Sequence, residues 1–518
     1  MGRKSTAEMG PTARPASREA AVVALYRRTP ELSLFRVRRA PQLAYLGGFH
    51  AFPGGAVQPA DAAVALAGVS EVKERARRVS AARELFEEVG VLLGQAREAR
   101  AKFASDDRRR ERGALDRGEL PFAKVLEMHG VELLAEAFLP AGRWISPPFL
   151  PRAFDTYFYL VELPPGEETG ALSGELDDGE WVTPARGLDD WRRGESLLAT
   201  PVRRAFEILK AAGGRGEPAE WALAMAESPE ARGGAVERIE VTPGAVLIPL
   251  RTLTLAPATH TNCLVLGEGE CLLVDPGSEE ESELAALEKG LDALARDGRR
   301  VTAIAATHHH GDHLGGVEAM RQRLGAPVLA HPALAERLRA DRVLRDGEVM
   351  ELASVAGEAW RIEARFAPGH TRDHVVYWEA QRGVLAAGDL LSGLGTVVID
   401  PPDGDLGDYM TSLQALRDLP MRVLLPGHGP PMGGGVVRVE KLLAHRRWRE
   451  ERVLASLGET PLSLEQLVQR VYDDVEPEVW RLAQRSLLAH LLHLEARQLA
   501  KPSEMGGQAG WSRSPSLR

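Results

Sequence analysis

Ten consecutive residues in the second half of the chain, Thr307-His-His-His-Gly-Asp-His-Leu-Gly-Gly316, limit its possible folds more than any other stretch. His308, His310, Asp312 and His313 form the pattern H-x-H-x-D-H. So much imidazole and carboxylate is hard to explain as packing, because each side chain would need its own buried partner. It is easily explained as half of a two-metal site. Val301 to Thr307 reads as a buried strand running into His308, and Val317 to Leu324 reads as a helix, so the cluster sits on a strand-to-helix turn. The other half appears in order. Arg361 to Phe366 reads as a strand ending in Ala367-Pro-Gly-His370, Gly383 to Asp389 as one ending in Asp389, and Met421 to His428 as one ending in His428. A candidate ligand after each of four strands places all of them on one rim of a sandwich.

At 518 residues the chain is too long for one core, and two or three domains are expected. A net charge of -10 and a pI near 5.9 carry no global footprint for nucleic acid or an anionic membrane. Cys263 and Cys271, the two cysteines, lie in apolar strand-like stretches and read as core residues in a reducing compartment, so a cytoplasmic location is expected. No apolar run reaches the roughly 18 residues of a transmembrane helix. Met1 to Arg18 lacks an apolar signal core and reads as a disordered tail, as do residues 502–518.

The first segment, residues 19–212, opens with two strands and a tight passage at Phe52-Pro-Gly-Gly55. Farther on, Arg83-Glu-Leu-Phe-Glu-Glu-Val-Gly90 places Glu84, Glu87 and Glu88 on one helical face, where they repel one another unless a hard cation lies between them. These residues resemble the Nudix box, with Gly55 as its first glycine and Asp61 where the first glutamate would stand. Residues 62–82 make the following spacer 14 longer than the family's. Such an insertion, with Arg152 to Phe158 and Glu180 to Pro184, is similar to the Nudix branch of CoA diphosphatases. The resemblance implies Mg²⁺ or Mn²⁺ on Glu84, Glu87 and Glu88, one of which helps activate water, and an ion pair from Arg83 that holds the helix. Arg108 to Arg112 reads as a charged helical excursion or, more sharply, as a phosphate patch. Residues 213–235 read as a linker, with a short helix within it.

The second segment, residues 236–437, looks like the metallo-β-lactamase superfamily. By that resemblance His308, His310 and His370 bind one metal and Asp312, His313 and His428 the second. Asp389 bridges the two, and Asp312 is also counted with the catalytic residues. Two zinc ions would make a bridging hydroxide at neutral pH; the donor set also suits iron or manganese. His309 is expected to point away from the metals, His374 to support a ligand or face substrate, and His260 and His331 to be structural. Residues 438–501 are helical. With Asp408 to Leu413 and His445 to Arg452 they look like the β-lactamase-like protein 2 group, which ends in a small winged-helix-like domain.

The expected fold is therefore α/β multidomain: a Nudix α/β/α sandwich, a metallo-β-lactamase αββα sandwich and a C-terminal winged-helix-like domain. Three functions are open. The dimetal domain hydrolyses a small ester or thioester beside a Nudix domain acting on a CoA-like or nucleotide diphosphate; or it cleaves single-stranded RNA; or the Nudix domain is a non-catalytic sensor or scaffold. An acidic balance and 5% aromatics disfavour a stacking platform for RNA. No membrane partner is expected, and oligomeric state is not legible.

Overall fold

A computed structural model describes residues 17–96, 105–150, 153–170, 175–233, 236–355, 357–505 and 508–514. Contacts divide it into two compact units: Met1–Val37, Ala51–Leu188 and Pro201–Val236 form the first, Arg38–His50, Asp189–Thr200 and Glu237–Arg518 the second.

In the first unit β1 (Arg18–Arg27) pairs antiparallel with β2 (Ser33–Arg39) and β3 (Gly54–Ala56). Helix α1 (Val72–Val89) is capped by the Glu71 carboxylate and ended by Gly90 in the left-handed conformation. Its apolar face, including Val79, Ala82, Leu85, Phe86 and Val89, packs in one core with Ala21, Val23 and Leu25 of β1. Helix α2 (Ser105–Asp116) follows, then β4 (Leu139–Ile145) antiparallel to β5 (Phe154–Glu162), which runs parallel to β1; β6 (Leu176–Val182) pairs β2.

The second unit holds two sheets. The first has the order β7 (Ile239–Thr242), β8 (Ala245–Arg251), β9 (His260–Leu266), β10 (Glu270–Val274), β11 (Arg300–Ala305), β12 (Val328–Ala330) and β13 (Arg342–Val343). The second has β14 (Glu348–Leu352), β15 (Trp360–Phe366), β16 (Val375–Glu379), β17 (Val384–Gly388) and β18 (Val423–Pro426). Side chains alternate across each strand. Val246, Ile248, Cys263 and Val265 pack under helices α3 (Glu281–Arg296), α5 (Val317–Leu324) and α6 (Pro332–Leu338). Val376, Trp378 and Leu385 pack under α7 (Leu406–Arg417) and α8 (Gly435–Ser456). Between β11 and α5 lies the short helix α4 (Gly311–Leu314). The other faces carry Leu264, Leu266, Val274, Val375, Tyr377 and Ala386, all buried, and the Tyr377 hydroxyl donates to Ala306 C=O at 2.8 Å from one sheet to the other. The chain ends in α9 (Leu464–Val471), opened by a Ser463–Gln466 capping box, α10 (Trp480–Ala496) and the antiparallel pair β19 (Ala500–Met505) and β20 (Gln508–Arg513).

Three boundary expectations differ from the structure. Residues 502–518 are not simply a tail: β20 is anchored by Trp511, buried and doubly hydrogen-bonded to the Leu462 backbone. Residues 213–235 are not a free linker. A helix, Pro218–Ala226, turns Trp221, Ala222 and Met225 inward, and Trp221 meets Tyr26 edge-on at 5.9 Å. Within 19–212, Arg38–His50 and Asp189–Thr200 belong to the second unit because they bond there. Leu197 pairs with Phe49, Trp191 Nε1 donates to Val241 C=O, and Gly433 N–H donates to Gly47 C=O. The expected N-terminal tail lies, up to residue 16, outside the described residues.

Candidate metal centre

Strands β10 and β11 run parallel, as do β17 and β18, and β15 shares the direction of β17 because β16 lies antiparallel between them. Loops after β11, β15, β17 and β18 carry His308 to His313, His370, Asp389 and His428. Residues up to 120 positions apart in sequence thus converge.

Three imidazoles meet first. His308 Nε2 lies 2.9 Å and His370 Nε2 3.2 Å from His310 Nδ1. Asp389 stands between two groups: Oδ2 is 3.8 Å from His370 Nε2, while Oδ1 is 3.5 Å from His313 Nε2 and 3.3 Å from His428 Nε2. Asp312 Oδ2 is 3.5 Å from His428 Nε2. The seven predicted ligands therefore fall into overlapping clusters: His308, His310 and His370; His308, His313 and Asp389; Asp312, His313 and His428.

This arrangement suits a cation better than hydrogen bonding. Three ring nitrogens at such distances cannot all be satisfied by each other, because a neutral imidazole supplies only one donor. His313 Nε2 and Asp389 Oδ1 are buried with no hydrogen-bond partner among the described residues. The outer nitrogens, by contrast, are engaged. His313 Nδ1 bonds Asp275 Oδ2 at 2.8 Å, His370 Nδ1 bonds Val398 C=O at 2.9 Å, and His428 Nδ1 bonds His260 C=O at 2.8 Å. His308 Nδ1 meets Thr307 Oγ1 at 3.0 Å, and that hydroxyl donates to Asp275 Oδ2 at 2.7 Å. An acceptor on Nδ1 selects the tautomer whose Nε2 lone pair faces inward. Gly427 of the second Pro-Gly-His is required sterically, since a Cβ there would lie 2.4 Å from Asp389 Oδ1.

Protonation agrees. Burial, then the neighbouring His313 and His370, hold His308 well below the usual imidazole range, and burial with His370 pushes His310 down to about 4. Burial alone would raise Asp389, but His428 and His313 outweigh it and keep the carboxylate well below its usual range. Burial would lower His313, but Asp389 and Asp275 raise it well above the usual value. His308 and His310, held neutral, and the ionised Asp389 are in the state that metal binding needs, whereas His313 holds a proton that an incoming cation must displace.

His309 is held outside these clusters, with Nδ1 3.0 Å from Asp373 Oδ1 and Nε2 3.4 Å from Asp403 Oδ2. His374 does not face substrate: it is fully buried, stacked on His308 at 5.2 Å. His331 caps α6, its ring accepting from Ala333 N–H. Asp275, Thr307 and Asp373 were not singled out from the sequence as functional; Asp275 takes the left-handed conformation (φ 53°) directly after β10. A cleft of about 780 Å³ opens on His310, Asp312, His370, Asp389 and His428.

The first unit brings the acidic helix face to a second cluster. Arg83 donates to both Asp61 oxygens at 2.9 and 3.1 Å, to Glu84 at 2.8 Å and to Glu87 at 2.9 Å. Gly54 N–H donates to Glu88 Oε2 at 2.9 Å, and a Cβ on Gly55 would sit 2.5 Å from Glu84 Cδ. Burial, partly offset by Arg83, pushes Glu87 up to about 7; burial likewise raises Glu84. Arg108 and Arg112 donate to the terminal carbonyls of α1, at Gly90 and at Glu87 and Glu88, rather than standing as an open phosphate patch. The arginines of α8 are similarly engaged: Arg438 bonds Ser392 C=O, Arg446 bonds Val397 C=O, and Arg449 forms a bidentate pair with Asp474.

Among the described residues no helix is long and apolar enough to cross a membrane. The family model "Metallo-beta-lactamase superfamily" matches residues 256–428, and "Beta-lactamase associated winged helix domain" matches residues 463–511. A beta-lactamase-like protein 2 homolog from Caenorhabditis elegans is 32% identical over 225 residues, 43% of this chain and 74% of the relative. An atrochrysone carboxyl ACP thioesterase from Pseudocercospora fijiensis is 28% identical over 240 residues, 45% of this chain and 68% of the relative. Among solved structures, a NUDIX hydrolase from Alicyclobacillus acidocaldarius aligns with a TM-score of 0.36 and 26% identity, covering 42% of this chain and all of that one. The chain belongs to the metallo-beta-lactamase superfamily, as a hydrolase of that fold carrying a C-terminal winged helix.

Proposed function

We propose that the second unit hydrolyses an ester or thioester of a small acyl substrate at a dinuclear, zinc-type site. His308, His310 and His370 would hold one ion and Asp312, His313 and His428 the other, with Asp389 between them. A bound metal pair supplies a water acidic enough to be a nucleophile at neutral pH and an electrophile for the carbonyl oxygen. Water oxygen adds to the acyl carbon, the C–O or C–S bond breaks, and the departing alcohol or thiol takes the proton. The chain's part is to fix the ligands through Asp275, Thr307, Val398 C=O and His260 C=O, and to shape the cleft.

The observation that carries the substrate reading is the cleft lining. Its volume of about 780 Å³ suits a small molecule. It holds no Phe, Tyr or Trp, and six carboxylates against three guanidiniums, a poor surface for stacking bases or tracking phosphates. Similarity to a protein named as an ACP thioesterase supports the same class.

For the first unit the proposed activity is Nudix-type hydrolysis of a diphosphate linkage in a CoA-like or nucleotide substrate, with Mg²⁺ or Mn²⁺ on Glu84, Glu87 and Glu88. The buried Asp61–Arg83 pair supports it: despite the lengthened spacer, a carboxylate still reaches the arginine that orders the acidic face.

One panel tests both: metal analysis, then acyl thioesters and esters, CoA and nucleotide diphosphates, and labelled single-stranded RNA, repeated with His308→Ala and Glu87→Gln. Thioester or ester turnover lost in His308→Ala, and phosphate release lost in Glu87→Gln, are the expected results. Turnover of RNA alone, lost in His308→Ala, overturns the acyl reading. Phosphate release unaffected by Glu87→Gln, or none at all, leaves a sensor or scaffold in place of the Nudix enzyme.

A further inference from the structure

The geometry points to Arg337 as the residue that binds an anionic group of the substrate in the metal cleft, so that the substrate is an acyl ester or thioester bearing a carboxylate or phosphate. This inference rests on the acyl-hydrolase reading of the same site. Arg337 lies on α6 and lines the cleft. Its Nη1 donates at 2.9 Å to the carbonyl of His309, between the ligands His308 and His310, which anchors the guanidinium beside the metal centre. Among the described residues no carboxylate lies within ion-pairing distance of it, so its remaining donors are available to a ligand.

Several other charges of the cleft are engaged, while Glu279, Glu280 and Arg251, which also line it, form no ion pair among the described residues. Asp312 and Asp389 belong to the metal clusters, Asp403 faces His309 at 3.4 Å, and Asp400 is paired with Arg485 of α10. The charge anchored to the backbone between the ligands His308 and His310 is thus a cation. A planar fork held by one bond is preorganised for a carboxylate or phosphate oxygen. At the outer end Leu253 is 94% exposed and Leu255 57% exposed, both lining the same cleft, which gives an apolar body of the substrate a place to lie.

The test uses metal-loaded full-length protein with matched substrates: pentanoyl and glutaryl thioesters of N-acetylcysteamine, which differ by an acyl-side carboxylate, and pentanoyl-CoA, which adds phosphates on the leaving side. The expected result is a preference in kcat/KM for one anionic member over the neutral one. Which member is preferred tells the acyl side from the leaving side. Arg337→Gln should reduce that ratio about 10- to 100-fold, chiefly through KM, and Arg337→Lys should retain part of it. Metal content and thermal midpoint of each variant separate this from damage to the site. No charge preference in the wild-type protein, or a ratio unchanged in Arg337→Gln, overturns the inference while leaving the acyl-hydrolase reading intact. If neither these thioesters nor the matching oxygen esters turn over, that reading fails, and calorimetry with glutarate and CoA then decides. Binding equal in wild type and Arg337→Gln overturns the inference; binding weakened about 10-fold or more in the variant supports the anion site.

Discussion

The Asp275 carboxylate and the His313 ring share a 2.8 Å bond, with Asp275 2% exposed and His313 fully buried. The same carboxylate takes the Thr307 hydroxyl and Thr307 N–H, each at 2.7 Å, and that hydroxyl meets His308 Nδ1, so one group orients two rings of the candidate clusters.

Asp275→Asn should therefore weaken metal binding about 10- to 100-fold without removing a ligand. A chelator competition titration reads this; unchanged affinity would show that Thr307 and the backbone suffice to orient the rings.

Removing a ligand should be more severe. His310→Ala opens the cluster where three ring nitrogens converge, and Asp389→Ala removes the carboxylate that faces both groups. Each should lower hydrolysis by more than about 100-fold, beyond the range of an outer residue. Metal analysis should show substoichiometric content.

The raised Glu87 carboxyl predicts pH dependence in the first unit. With its value near 7, the metal-free protein holds a proton there that a cation must displace, so Mg²⁺ or Mn²⁺ affinity should rise from pH 6 to 8 and level off above. The same shift fixes a stability trend. Between the ordinary 4.5 and about 7 the folded chain keeps a proton that the unfolded chain has released. This contribution to metal-free stability is fully present below 4.5 and is lost as pH rises through 7. Cation titrations at pH 6, 7 and 8 on wild type and Glu87→Gln check it; a pH-independent wild type contradicts it.

Asp61→Ala leaves the buried Arg83 without its bidentate partner and should destabilise the first unit by about 3 kcal/mol, measured by denaturant unfolding. Asp61→Glu should recover part of the loss if the pair, rather than the side-chain volume, matters.

Trp511→Ala should cost about 3 kcal/mol, because its ring is 6% exposed in the core of the winged helix. A loss near zero would mean that β20 contributes little to that core.

Much of the candidate site was legible in the sequence because imidazoles and carboxylates directly after apolar strands are scarce in buried contexts. H-x-H-x-D-H, two Pro-Gly-His stretches and Asp389 mark themselves, and the strands leading to them show as apolar runs. The acidic face of α1 was likewise readable from helical spacing alone.

What the tertiary structure decided are relationships with no local signature. Asp275 ends an ordinary apolar strand; only the parallel pairing of β10 with β11 brings it to His313 and Thr307. Arg337 is one arginine among many until folding hangs it on the His309 carbonyl. Asp61 finds Arg83 across 22 residues because α1 begins at Val72 and absorbs most of the spacer as helix. Local chemistry sets which residues can bind a metal, since it depends on side-chain type and period. Which residues aim, neutralise or accompany them depends on long-range strand pairing, and that is settled by burial of the whole sheet.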